Sequence, residues 1–402
     1  MRRTKRTNKD GSTVSYLQLA HNERHAVTGN PVAKVIWNFG REDSVDKDAL
    51  RRLMQSIARV LDPEDQIAVE MGIELGSISI ESDKSLGGAW ALDQLWTKLG
   101  IRSAFEELLR ERQFEAPVER AVFAMTANRA LAPSSKLAME DWVENDVCID
   151  GLGQVQVHQL YRAMDLLVEN HEHVQERVFF SMANLLNLEV DLVYFDTTST
   201  YFEVDPDPDE EEELRRTGYS KDHRPDLLQV VIGLAVTRDG IPVRCWVWPG
   251  NTGDMEVVAQ VKKEARLDGK YLLRTSDDTL SPEDVALGYK QLLEVEDAFR
   301  TLKSTLDLRP MYHRVSDRIR AHVLLCWLAL LLVRVAETQV GDTWPRIRTQ
   351  LERIRIVEIN TPEGEIAQRT DITPAQKRVL SSLGVPEPKK IREIRLKNRV
   401  RA

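Results

Sequence analysis

One stretch limits what this chain can become: VLLCWLALLLV, Val323 to Val333, with Arg334 at its end. A helix that is apolar all round has no face for water and belongs inside protein. A bilayer-crossing helix needs about 20 apolar residues, and this run falls short of that. The sequence therefore predicts a helix buried by the rest of the chain. With 402 residues, 42% of them hydrophobic and 30% charged, an ordinary soluble protein of two or three domains can supply the cover. No apolar stretch with a cleavage pattern follows Met1, so neither a secretory signal nor a membrane partner is expected. Cys148, Cys245 and Cys326 lie far apart, form no metal or redox motif and fit a reducing cytoplasm.

The hydrophobic period changes along the chain. Before about Gly40, VSYLQLA and AKVIWNF alternate around a TGNP turn signal, which reads as a small N-terminal β arm. Leu50, Leu53, Met54, Ile57, Val60 and Leu61 then recur at helical spacing. From Gly88 to about Asn187 the pattern is mostly helical. Leu92, Leu95, Trp96 and Leu99 make one stripe, and Pro117 sits at a first-turn position. After Glu189, VDLVYF, LLQVVIGLAVT and IPVRCWVW are rich in strand formers, and TRDGIP joins the last two as a hairpin turn. GKYLLRT, Gly269 to Thr275, is a fourth candidate strand, and a helical region runs from Glu283 to about Glu337. The divisions expected are 1–60, 61–188, 189–340 and a polar basic C-terminal tail at 341–402.

A net charge of −9 and a pI near 5.6 argue against nucleic-acid binding through overall charge. The distribution is uneven. MRRTKR and KKIREIRLKNRVR make both ends basic, while Asp205 to Glu213 is a dense acidic block with two prolines. Solvated tails and a disordered loop account for all three, yet basic ends also suit local contact with DNA.

Two stretches carry chemistry. In VYFDTTSTYF, Val193 to Phe202, an apolar run meets Asp196 and then four hydroxyl residues. A carboxylate closing a buried strand is costly unless a cap, a turn or a cation compensates it. In YKQLLEVEDAFRTLK, residues Tyr289, Glu296 and Lys303 stand at seven-residue intervals, which keeps them on one helix face with a drift of only about 20° per heptad. Arg300 joins that face, and Leu292, Leu293, Val295, Phe299, Leu302 and Leu306 supply packing surface. By itself this is an amphipathic helix with Glu296–Arg300 as a surface pair worth about 0.2–0.5 kcal/mol.

Together the two stretches resemble the DDE-type insertion-sequence transposases, closest to family four and its relatives. Asp196, Thr197 and Thr198 match the first-acid motif D-T-T. Tyr289, Glu296 and Lys303 match the third-acid motif Y-x2-R-x3-E-x6-K, with Leu292 in the arginine's place. GYSKDHRPDLLQVVIGL, WPGNTGD and RPMYHRVSDRIRAHVLLCWLALLL also look like this group and occur in its order. The resemblance implies an α/β fold: an RNase H-like catalytic core, preceded by a mostly helical DNA-binding domain and the β arm. It implies a homo-oligomer that cuts and joins DNA at an element's terminal repeats and at a target. Asp196 and Glu296 would be catalytic and would hold Mg²⁺ or Mn²⁺, hard cations that prefer carboxylate oxygen. Tyr289, Arg300, Lys303, Lys221 and Arg224 would contact DNA phosphates.

One acid of that set is missing. The family's second aspartate follows a core strand between the GNTGD motif and the DGKYLLRT region, where this chain has only MEVVAQVKKEARL. The simplest inference is an internal deletion near 261–265, leaving the core incomplete. Asp254 caps a helix in this reading, and Asp277 and Asp278 sit in a loop, so none is a natural substitute. Strand cleavage is therefore expected to be impaired, and a non-catalytic DNA-binding remnant, or an inhibitor of an intact transposase, is the second reading. A metal-dependent hydrolase of another phosphate ester is the third. His171, His173 and His322 lack metal-ligand company, and Trp90, Trp96 and Trp142 at helical positions read as core.

Overall fold

Alternation in the first residues builds strands. In a computed structural model, β1 (Arg2–Thr7), β2 (Thr13–Arg24) and β3 (Pro31–Arg41) pair antiparallel in that order, with Thr4 opposite Tyr16 and Leu19 opposite Trp37. Val35, Ile36 and Trp37 are exposed on this sheet. The structure describes residues 2–8, 13–24, 31–42, 44–46, 79–110, 117–185, 193–202, 213–221, 223–237, 239–253, 256–257, 282–361 and 364–396. The helix expected over 50–61, most of the acidic block and the GKYLLRT segment lie outside them.

Residues Met1–Ile78 and Ser79–Ala402 are separate units. The second runs β4 (Ser79–Ser85), α1 (Gly87–Lys98), α2 (Ile101–Leu109), α3 (Val118–Leu131), α4 (Ala138–Asp141), α5 (Val157–Glu169) and α6 (His171–Leu185). Strands β5 (Val193–Tyr201), β6 (Gln229–Thr237) and β7 (Pro242–Pro249) follow, then α7 (Pro282–Ser304) and α8 (Ser316–Val340). The chain continues with α9 (Trp344–Glu352), β8 (Arg355–Asn360), β9 (Gly364–Arg369), α10 (Pro374–Ser382) and β10 (Ile391–Leu396). Pro117 is the cap of α3, one position earlier than a first-turn proline.

The apolar run is the middle of a longer helix than its composition suggested. Helix α8 is long and apolar enough to cross a membrane, yet 89% of its most hydropathic window is buried inside the protein. Helices α3 and α5 and strand β7 pack around it. Every residue from Ala321 to Val333 is buried, each large side chain contributing on the order of 1.5–3 kcal/mol to the core. Trp96 and Trp142 are core residues, as expected; Trp90 is half-buried, with its indole donating to Pro386 O at 2.7 Å. The expected boundary at 188 therefore does not separate domains, because helices on both sides share one core.

The expected basic tail is also folded over its described residues, which run to Leu396. Strands β10, β9, β8 and β4 form one antiparallel sheet in that order, so residues 355–396 close onto residues 79–85. Helix α10 is capped by Thr373 and Gln376, which exchange side-chain hydrogen bonds with each other's backbone. The sequence RIVEIN alternates as strands do, but its partner is distant: Ser82 Oγ donates to Glu358 Oε2 at 2.7 Å. The α/β class holds at this level.

Candidate functional site

Strands β5, β6 and β7 form an antiparallel three-stranded sheet with β6 central and buried throughout. TRDGIP makes the hairpin turn, with Gly240 at φ +73° and Thr237 N donating to Ile241 O at 2.9 Å. Asp196 does not close β5. The strand continues to Tyr201, and Asp196 sits opposite Leu234 in mid-strand. Thr197, Thr198, Ser199 and Thr200 are all buried. The hydroxyl residues that read as an ending are largely β-branched and fit a pleated, half-buried surface.

Side chains alternate along the strand. Phe195, Thr197 and Ser199 share the face on which Phe195 meets Trp246 at 5.5 Å and Trp248 at 6.5 Å. Asp196 belongs to the opposite face, with Tyr194 and Thr198; the residues opposite these three, Leu234, Val236 and Ile232, join one core cluster with Val295, Ala298, Phe299 and Leu302. Helix α7 packs against β5 and β6. The elements carrying Asp196 and Glu296 are thus in contact. Glu296 is exposed, about 100° around the helix from buried Val295, and Lys303 shares its flank. Tyr289 lies two turns earlier in the same helix. Arg300 pairs with Asp297 at 2.8 Å, so the Glu296–Arg300 pair expected from spacing gives way to an i, i+3 partner.

Lys221 does not point away toward a ligand. Its ammonium donates to Thr197 O at 2.6 Å and Thr197 Oγ1 at 2.8 Å, and lies 3.5 Å from Asp196 Oδ1. Its backbone N–H donates to Ser199 Oγ at 2.9 Å. Lys221, Thr197 and Ser199 line a recess of about 180 Å³ with Thr198, Tyr219 and Thr252. Arg224 pairs with Asp226 at 2.9 Å and lies over the Tyr201 ring at 5.5 Å, with Arg309 at 5.4 Å from that ring. None of these contacts was legible in the sequence beyond the GYSKDHRPD motif itself.

Divalent ions of the expected kind are held by several converging oxygens. Among the described residues no group of three His, Cys, Asp or Glu side chains converges. Asp196 already faces an ammonium. The residues described therefore do not fit a two-metal cradle; Asp254, Asp277 and Asp278 lie outside them. His322 is a core residue, as expected, with Nε2 bonded to Leu308 O at 3.2 Å, while His171 Nδ1 bonds Val168 O at 2.8 Å.

Sequence reasoning missed one cluster. Arg129 and Lys136 are each 4% exposed, beside His313, His322 and Cys326. The only signal was two cations bracketing ALAPSS, a stretch that reads as a helix break.

Residues 1–66 match the family described as "IS1634 family transposase, N-terminal domain". No curated protein and no solved structure matches the chain. The N-terminal match, followed by a mixed α/β unit, supports a transposase of an insertion sequence.

Proposed function

We propose that this chain descends from a DDE-type transposase, binds the ends of its element as a homo-oligomer, and is severely impaired in cutting and joining them. What supports the lineage, beyond the N-terminal match, is one relationship: the helix bearing Glu296 packs on the strand bearing Asp196. An antiparallel meander led by an acid-bearing strand, with a glutamate helix laid against it, is the arrangement an RNase H-like core requires. What supports the impairment is the donor set, two carboxylates with an ammonium already beside one of them. Misplacement of reacting groups by about 1 Å costs on the order of 10²-fold in rate, and a missing acid costs more. DNA contact falls to Tyr289, Arg300 and Lys303 on α7, and to Arg224, rather than to Lys221, which the strand engages.

The second reading, a non-catalytic remnant that competes for element ends, follows from the same donor set. The deciding experiment offers the full chain its own terminal repeats with Mg²⁺ or Mn²⁺, and in parallel with EDTA. An end-specific mobility shift that persists in EDTA, with no nicking in either metal, is expected. Efficient metal-dependent nicking abolished by Asp196→Ala would overturn the impairment. Absence of any preference for the ends would overturn the reading itself.

A further inference from the structure

Positive charge is gathered in the first unit. Residues 2–41 hold eight Lys or Arg and two acids, Asp10 and Glu23, in a chain whose net charge is −9. Every residue of β1 except Thr4 is exposed, so Arg2, Arg3, Lys5 and Arg6 face water. Arg3 is ion-paired with Glu42, while Arg2, Lys5 and Arg6 have no ion pair among the described residues. The other edge of the sheet is apolar where it is most exposed. In β3, Lys34 to Asn38 are exposed without interruption, Val35 at 45%, Ile36 at 58% and Trp37 at 64%. A strand packed on one face hides every second residue. Here neither face of β3 is covered, and its outer edge has no partner strand among the described residues, since the sheet runs β1, β2, β3.

The register brings the two features together. Trp37 stands opposite Leu19, Arg3 opposite Leu17 and Lys5 opposite Ser15, and positions two apart on β2 share a face. The indole, Arg3 and Lys5 therefore lie on one face of the sheet, and Lys34, opposite His21, joins them. Strands about 4.8 Å apart put the β1 cations roughly 10 Å or more from Trp37, a span that long side chains bridge to a backbone running past the ring. An exposed indole flanked by cations fits a polyanion that also offers flat apolar surfaces. Unpaired nucleotides answer that description: phosphates meet the ammonium and guanidinium groups while a base lies on the ring. Paired bases are stacked within their duplex and leave such a surface only at an end. A second copy of the sheet would bring like charge against like, and a lysine on an edge strand opposes edge-to-edge pairing.

We propose that the face of the β1–β3 sheet carrying Arg3, Lys5, Lys34 and Trp37 binds single-stranded DNA, stacking a base on Trp37 and setting phosphates against the cations. The surface belongs to the first unit, whereas Asp196 and Glu296 belong to the second. It goes beyond the end recognition proposed above, needs no element sequence, and stands whether or not those two acids cut DNA. Its contacts are with ring faces and phosphates, which all nucleotides share, so it does not discriminate sequence.

Fluorescence anisotropy of a labelled oligothymidylate, titrated with the full chain at low salt, tests this. Saturable binding is expected, tighter than to a blunt duplex of equal length. Trp37→Ala should weaken it at least about tenfold, and Trp37→Phe, which keeps a ring, should retain most of the affinity. Lys5→Ala should lower the slope of log K against log salt by about 0.7, the value for one phosphate contact on a single strand. Trp37 is largely exposed, so its variants should keep the urea midpoint of the unaltered protein, which separates lost stacking from lost folding. No saturable binding, binding that Trp37→Ala leaves intact, or a preference for the duplex overturns the proposal. So does a dimer that Trp37→Ala dissociates while oligothymidylate binding is unchanged. The oligonucleotide carries no element end, so failure here and failure of end recognition are read separately.

Discussion

Lys221 reaches the edge of β5 and gives Asp196 a cation at 3.5 Å while its other protons go to the Thr197 carbonyl and hydroxyl. The charge in mid-strand is thereby offset by the chain's own ammonium. Asp196 and Lys221 keep 44% and 33% of their side chains exposed, so the pair is modest. In a double-mutant cycle of Asp196→Asn and Lys221→Met, urea unfolding should give a coupling of about 0.2–1 kcal/mol. Lys221→Met alone should cost more than the coupling, since it also frees the Thr197 acceptors. A coupling of zero would mean that the two charges do not sense each other.

Gly250 is held where no side chain fits. A Cβ there would stand 2.1 Å from Gln229 O and 2.3 Å from Arg216 O, both backbone atoms that cannot swing aside. Gly250→Ala should therefore cost about 1–3 kcal/mol, seen as a lower urea midpoint at unchanged slope. An unaltered midpoint would show that the loop after β7 relaxes freely.

Acid should weaken the core. Burial, then Lys136, Arg318 and Arg129, holds His313 down to about 4, and burial with Lys136 and Arg129 holds His322 well below 6.5. Between about pH 6.5 and 4 the unfolded chain binds more protons than the folded one, so stability falls as pH drops through that window. Each proton contributes at most about 1.4 kcal/mol per pH unit. Urea titrations across this range should show the slope, and His313→Gln should flatten part of it. A flat profile in the unaltered protein would contradict the burial of neutral imidazoles.

Lys303 lies on the Glu296 flank of α7 and is only partly buried. If it touches one DNA phosphate, Lys303→Ala should reduce the slope of log K against log salt by about one. An unchanged slope removes that flank from the DNA interface.

What the sequence could carry was local. The β6–β7 hairpin followed from TRDGIP, where Gly240 adopts the positive φ that a tight turn requires. The buried helix followed from a run with no polar stripe. Strand β5 was cut short because a charge and four hydroxyls look like an ending, whereas their hydrogen-bond partners, such as Lys221, come from another segment. The C-terminal strands looked like a tail for the same reason: charged alternation makes a sheet only beside a partner, and β8 finds its partner in residues 79–85. Asp196 and Glu296 were legible as candidates through motif order. The Arg129–Lys136 cluster was not, since its members come from separate stretches of the chain, 129–136 and 313–326.

The pairing of Ser79–Ser85 with Arg355–Asn360 has a consequence for biogenesis. During translation the first strand of this unit emerges long before its mate, and its unpaired edge waits while residues 86–354 are added. A product cut off before residue 355 would display that edge permanently, open to pairing with a neighbouring polypeptide.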